Sequence, residues 1–82
     1  MNVYSSNNRW RARLSETDDG VRVAFDKFSG FFDMRGINIS LLDTADLPHD
    51  KIMWRQINLG FVDNAPFHVV RDHVVLVLES MK

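Results

Sequence analysis

The sequence predicts a mainly β protein, a small antiparallel barrel or curled sheet of five to six strands. Three observations carry that expectation. Apolar and polar residues alternate strictly from Arg9 to Leu14, and Val21, Val23 and Phe25 continue the apolar alternation, the period of a strand with one buried face. Asp19-Gly20 stands between those runs, and Asp-Gly is a strong hairpin signal because a type I′ turn needs positive φ at both central residues. Five valines fall between positions 69 and 77, and β-branched side chains pack well on a pleated surface.

Taken in order, Met1 to Asn8 reads as a frayed polar end with Tyr4 as its anchor. In the next run Trp10, Ala12 and Leu14 take one face while Arg9, Arg11 and Arg13 take the other. A two-residue loop at Asp19-Gly20 would pair Leu14 with Phe25, Arg13 with Asp26 and Arg11 with Phe28. Phe28-Ser29-Gly30-Phe31-Phe32 breaks the alternation, and Gly30 marks a bend or bulge there. Alternation resumes with Ile37, Ile39 and Leu41 facing inward, and Asp43 to Asp50 is a polar loop with room for one helical turn. Lys51 to Val62 is a further strand with Met53, Ile57, Leu59 and Phe61 on one face and Ile52, Trp54, Gln56 and Asn58 on the other. The pattern leaves open which of those faces is buried.

After a turn at Asp63 to Pro66, Val74 to Leu78 is an unbroken apolar run, as in a strand buried on both faces. The same segment also fits a helix, with Phe67, Val70, Val74, Val77 and Met81 on one side, Asn64 as N-cap and Pro66 in the first turn. The strand reading is preferred because so many valines waste helix propensity. A helical ending would give instead an α+β arrangement, one C-terminal helix on an antiparallel sheet. In the barrel reading Trp10, Leu14, Val23, Phe25, Ile39 and Leu59 share one core, and SH3-like or OB-like closure removes the sheet edges.

The 82 residues make a single domain. With 45% hydrophobic and 26% charged residues the composition is that of a soluble globular protein. The absence of cysteine excludes a disulfide scaffold and a thiolate metal site. No signal-peptide pattern opens the chain and no apolar run is long enough to span a bilayer, so the expected setting is cytoplasmic, away from membranes. The net charge of −1 gives no general attraction to nucleic acid or anionic lipid. The distribution is uneven: Arg9, Arg11 and Arg13 are the sole charges in the first fifteen residues, which leaves the remainder net acidic.

Catalytic and metal chemistry find little support. His68 and His73 are five apart and point to opposite faces of a strand, with no cysteine to complete a ligand set. His49-Asp50 is a dipeptide in a polar loop. There is no nucleophile elbow, Walker glycine loop or zinc-peptidase motif. Nine of the eleven acids are aspartates scattered among turns, where their side chains bond to nearby backbone. The expectation is therefore a protein that is not an enzyme, with no catalytic residue, no metal and no cofactor.

Two stretches resemble known families. Lys27-Phe28-Ser29-Gly30-Phe31-Phe32 resembles the stacking strand of cold-shock domains, which implies bases stacked on aromatics with basic residues on the phosphates. Arg9-Trp10-Arg11-Ala12-Arg13 followed by Asn38-Ile39-Ser40-Leu41-Leu42-Asp43 is similar to the paired-arginine and Asp/Asn-x-Ser-x-x-Gly motifs of PilZ domains, which implies cyclic di-GMP. Here Asp43 stands where that motif ends in glycine, placing an acid near the phosphates.

The residues themselves favour a small protein-binding module of adaptor or inhibitor type. Its surface would be Arg9, Arg11, Arg13, Arg22 and Phe28 on the outer strand face, since arginine beside an exposed aromatic is enriched at interface hot spots. The alternative is a single-stranded nucleic-acid or nucleotide-binding small β-barrel, and the same pattern also fits a solvated strand face. The sequence fixes neither the partner's identity nor the oligomeric state.

Overall fold

A computed structural model describes residues 1–32, 44–45 and 48–82. It is an α+β fold, an open antiparallel sheet with a C-terminal helix packed on one face. The strands are β1 (Asn2–Tyr4), β2 (Trp10–Thr17), β3 (Gly20–Phe31) and β4 (Ile52–Asp63), in the spatial order β1-β2-β3-β4. The helix α1 (Phe67–Met81) follows, and a single 3-10 turn at His49–Lys51 precedes β4. The barrel expected from the sequence does not form: β1 and β4 are the two edges of the sheet and do not pair with each other. The expected inward set at Ile37, Ile39 and Leu41 lies outside the described residues.

The first eight residues correct the expectation of a frayed end. Asn2, Val3 and Tyr4 pair with Arg13, Ala12 and Arg11 of β2. The turn that follows is built from its polar side chains, as Ser and Asn turns are. Ser5 Oγ is buried and accepts from the backbone N–H groups of Arg9 (3.2 Å) and Trp10 (3.1 Å), and Asn7 Oδ1 accepts from Arg9 N–H at 3.1 Å.

The β2–β3 hairpin also differs from the expected register. Its two-residue loop is Asp18-Asp19, closed by the pair Thr17–Gly20. Asn8 is the sole non-glycine residue with positive φ among the described residues, so Asp18 and Asp19 lack the geometry of a type I′ turn. The left-handed position falls instead on Gly20, at φ 127°. A β-carbon at Gly20 would also lie 2.4 Å from the Asp63 carbonyl oxygen. Leu14 therefore opposes Val23, Ala12 opposes Phe25, and Arg11 opposes Asp26. The slip is two residues, so every side chain keeps its expected face.

On the helix side Ala12, Leu14, Val21, Val23 and Phe25 form one buried cluster with Val70, Val74 and Leu78 of α1. Trp10, Ile57, Phe61, Phe67, Val77 and Met81 pack around it, half-buried. Leu59, expected in this core, is 58% exposed. The reason is an irregularity in β4: Val23 pairs with Phe61 and Phe25 with Ile57, so Asn58, Leu59 and Gly60 have no partner on β3. A second irregularity falls at Ser29, where β3 carries one extra residue between Phe28 and Gly30 (φ 146°). That bulge brings Phe28 and Phe31 to the same side, away from the helix, with Ile52 and Trp54.

The last segment is a helix, not the strand preferred from its valines. Its N-cap is Pro66 instead of the expected Asn64, and the Pro66 carbonyl accepts from Val69 and Val70 N–H at 3.0 and 3.1 Å. Asp63 Oδ1 accepts from Ala65 N–H at 2.9 Å and turns the chain out of β4. At the far end Glu79 accepts from the Ser6 N–H (2.9 Å) and hydroxyl (3.2 Å), and Lys82 pairs with it. These contacts tie α1 to the β1–β2 turn.

Candidate functional site

The sheet face opposite α1 carries all five residues singled out from the sequence. Period 2 in β2 places Arg11 and Arg13 there, with Arg9 just before the strand. Arg9 O accepts from Phe28 N–H at 2.9 Å, so Arg9 lies beside Phe28. Arg22 of β3 opposes Ser15 and Val62 on this same face.

At its centre is Asp26, whose side chain is 3% exposed. Arg11 donates from Nε at 2.8 Å and approaches with Nη2 at 2.7 Å, both toward Oδ2. Arg13 donates from Nε to Oδ2 at 2.8 Å and from Nη2 to Oδ1 at 3.1 Å. One carboxylate thus holds two guanidinium groups, and such charge-assisted pairs are the strong class of hydrogen bond. The two arginines are unequally covered, at 20% and 43% side-chain exposure. The sequence pairing of Asp26 with Arg13 alone missed the sharing because it rested on the shifted register.

Aromatic rings support the same layer. The Arg11 guanidinium lies 4.8 Å from the Trp54 ring centroid and that of Arg9 lies 4.9 Å from Phe28, within the range of cation–π attraction. Phe28 is 6% exposed and packs edge-on against Phe31 at 5.3 Å. It is therefore a buried support beneath Arg9, not the exposed aromatic read from the sequence. Beyond Trp54, Tyr4 lies 5.8 Å away and stacks on His49 at 3.6 Å. Trp54 Nε1 is buried without a hydrogen-bond partner among the described residues.

Asn8 fastens this end of the face. It is 7% exposed and has φ 54°, a conformation asparagine tolerates better than most residues. Its Nδ2 donates to Thr44 O (2.9 Å) and Ala45 O (3.0 Å), and its Oδ1 accepts from His49 Nε2 at 2.9 Å. Thr44 Oγ1 in turn donates to Asn7 O. Nothing in the sequence marked Asn8, Tyr4 or His49 as a unit, because their contacts span about forty residues. Trp54 was legible as one face of β4, without the indication that this face meets the arginines.

The other sequence-level candidates stand apart from this layer. His68 and His73 are exposed positions on α1, and Asp72 pairs with Arg71 at 3.4 Å. The stretch likened to a stacking strand has Phe28 and Phe31 buried and Phe32 exposed. The second half of the PilZ-like motif, residues 38–43, lies outside the described residues. No protein-family model, curated protein or solved structure matches this chain. Among the described residues no helix is long and apolar enough to cross a membrane.

Proposed function

We propose that this chain is a small non-enzymatic protein-binding module, of adaptor or inhibitor type, that docks an acidic partner surface on the sheet face opposite α1. The observation carrying the reading is the Asp26-centred layer, which holds Arg11 and Arg13 in fixed orientations. Among the described residues, Arg11, Arg13 and Arg22 against Asp26 give this face net positive charge in a chain of net charge −1. Arginines already ordered lose less side-chain entropy on binding, and a positive patch steers an acidic partner toward it. Arg13 and Arg22 are its exposed contacts, with Arg11 and Trp54 as the rigid floor. Burial of Phe28 and Phe31 removes two of the rings on which bases would stack, which favours a protein over single-stranded nucleic acid.

A pull-down from lysate at two salt concentrations, with and without nuclease, tests this. Wild type is compared with Arg13→Glu/Arg22→Glu and with Lys27→Glu/Arg71→Glu, which reverses two charges on the helix side of the protein. The expected result is a nuclease-resistant protein retained by wild type and by the helix-side variant, and lost with Arg13→Glu/Arg22→Glu. Binding abolished by nuclease would assign the face to nucleic acid. Equal retention by all three proteins would show the arginine face to be only a solvated strand.

A further inference from the structure

The outer edge of β4 has chemistry that the arginine face does not use. The opposite edge, β1, is three residues long, one of the usual ways to blunt an edge. By contrast β4 runs for twelve residues, Ile52 to Asp63, without proline. No described residue pairs with its outer side. Met53, Leu59 and Val62 are exposed along it. A long, exposed, apolar edge is a template for another strand. The question is which strand.

The sequence of β4 is self-complementary about Leu59. Set antiparallel to a copy of itself with a two-fold axis at Leu59, it places Arg55 opposite Asp63, Ile57 opposite Phe61, and Leu59 opposite Leu59. Arg55, Ile57, Phe61 and Asp63 all face the helix side, since they pair with Lys27, Phe25, Val23 and Val21. The charged pair occurs twice by symmetry, and neither member has an ion-pair partner among the described residues. Ile57 and Phe61 are half-buried at the margin of the core, so an apolar neighbour would complete their cover. Asn58, Leu59 and Gly60, which lack partners on β3, would gain backbone partners across the axis. We propose that two copies of the chain join through β4 in this register, forming one continuous eight-stranded antiparallel sheet. A two-fold axis normal to the sheet puts both helices on one side and both arginine faces on the other. The dimer would then be bivalent for an extended acidic surface.

The absence of cysteine makes the test clean. Leu59→Cys places two thiols directly opposite each other, within the Cα separation that a disulfide spans. Met53→Cys, on the same edge, would face a residue beyond the end of the partner's β4. Both positions are exposed, so folding is preserved and is checked by circular dichroism. Leu59→Cys should oxidise to a covalent dimer at dilutions where Met53→Cys does not. Sedimentation equilibrium of the unmodified chain should show a monomer–dimer equilibrium. Arg55→Glu should weaken it roughly tenfold by setting like charges opposite each other twice, and Arg55→Glu/Asp63→Lys should recover most of the loss. An unmodified chain that stays monomeric up to its solubility limit overturns the proposal. So does equal cross-linking at both cysteine positions, or a double variant no tighter than Arg55→Glu.

Discussion

Replacing Asp26 with asparagine should be far more damaging than an ordinary strand-face substitution. Asp26→Asn keeps the shape of the side chain but removes the charge that two guanidinium groups share. Breaking a buried ion pair by deleting one partner typically costs about 3–5 kcal/mol. Here the stranded cations are Arg11 and Arg13, at 20% and 43% exposure, and both can turn toward water. Arg11 also keeps its contact with Trp54. The expected cost is therefore lower, about 2–3 kcal/mol, near the value of one or two hydrogen bonds to a charged group.

The opposite truncation discriminates more sharply. Arg11→Ala/Arg13→Ala leaves a carboxylate that is 3% exposed without a cation, which restores the full penalty of about 3–5 kcal/mol. Arg13→Ala alone removes a half-solvated partner and should cost about 1 kcal/mol or less. The expected order of destabilisation is Arg13→Ala, then Asp26→Asn, then the double arginine variant. Urea unfolding followed by tryptophan fluorescence measures it. With a slope of about 1 kcal/mol per molar urea, Asp26→Asn should lower the midpoint by about 2–3 M at unchanged slope. An Asp26→Asn cost under about 0.5 kcal/mol, the range of ordinary surface substitutions, would refute the shared buried pair. A double arginine variant milder than Asp26→Asn would refute the argument from exposure.

Other expectations follow from single contacts. Leu78 is fully buried, so Leu78→Ala should cost about 2–5 kcal/mol in the same urea assay. Asn8→Ala loses the bonds to Thr44, Ala45 and His49 and also strains a left-handed backbone. Asn8→Gly loses the bonds alone, and should be the milder of the two by about 1 kcal/mol. Equal losses would show that the backbone conformation contributes nothing. Glu79 is held below its ordinary carboxylate range, first by Lys82 and then by the Ser6 N–H. A lowered folded pKa contributes stability above the unfolded value that is lost as pH falls through the folded one. The advantage of wild type over Glu79→Gln should therefore be present at neutral pH and fade below the ordinary value of 4.5, as thermal melts across an acid series would show.

The parts legible in the sequence are those fixed by local period. Alternation in β2 and β3 assigned Leu14, Val23 and Phe25 to one side and the arginines to the other, and the two-residue slip in register left that assignment intact. What failed depended on counting residues across irregularities. Leu59 satisfies the alternation of β4, but the stretch from Asn58 to Gly60 leaves the ladder and carries it out of the core. Phe28 looked available on an outer face until the extra residue at Ser29 turned Phe31 to the same side and enclosed both. The polar run from Ser5 to Asn8 resembled a loose end because its bonds to backbone, which make it a turn, leave no apolar trace. The arginine face was visible from period 2, whereas its organisation around Asp26 required the correct register.

The helix was the hardest element to read, and the reason is arithmetic. Val70, Val74 and Leu78 are the buried residues of α1, and a spacing of four satisfies one side of a strand as well as one side of a helix. Those three positions could not discriminate. Phe67, Val77 and Met81 could, since they lie at odd positions and still pack on the same core, which a strand forbids. Propensity pulled the other way: five valines at about 0.5 kcal/mol each disfavour the helix by roughly 2–3 kcal/mol. Burial of Val70, Val74 and Leu78 returns about 1.5–3 kcal/mol per side chain, which outweighs that deficit. A strand in this segment would bury one alternate set of its side chains against the sheet and turn Phe67, Val77 and Met81 outward. Tertiary packing therefore selects the helix, and the six side chains that meet the sheet decide the fold of fifteen residues.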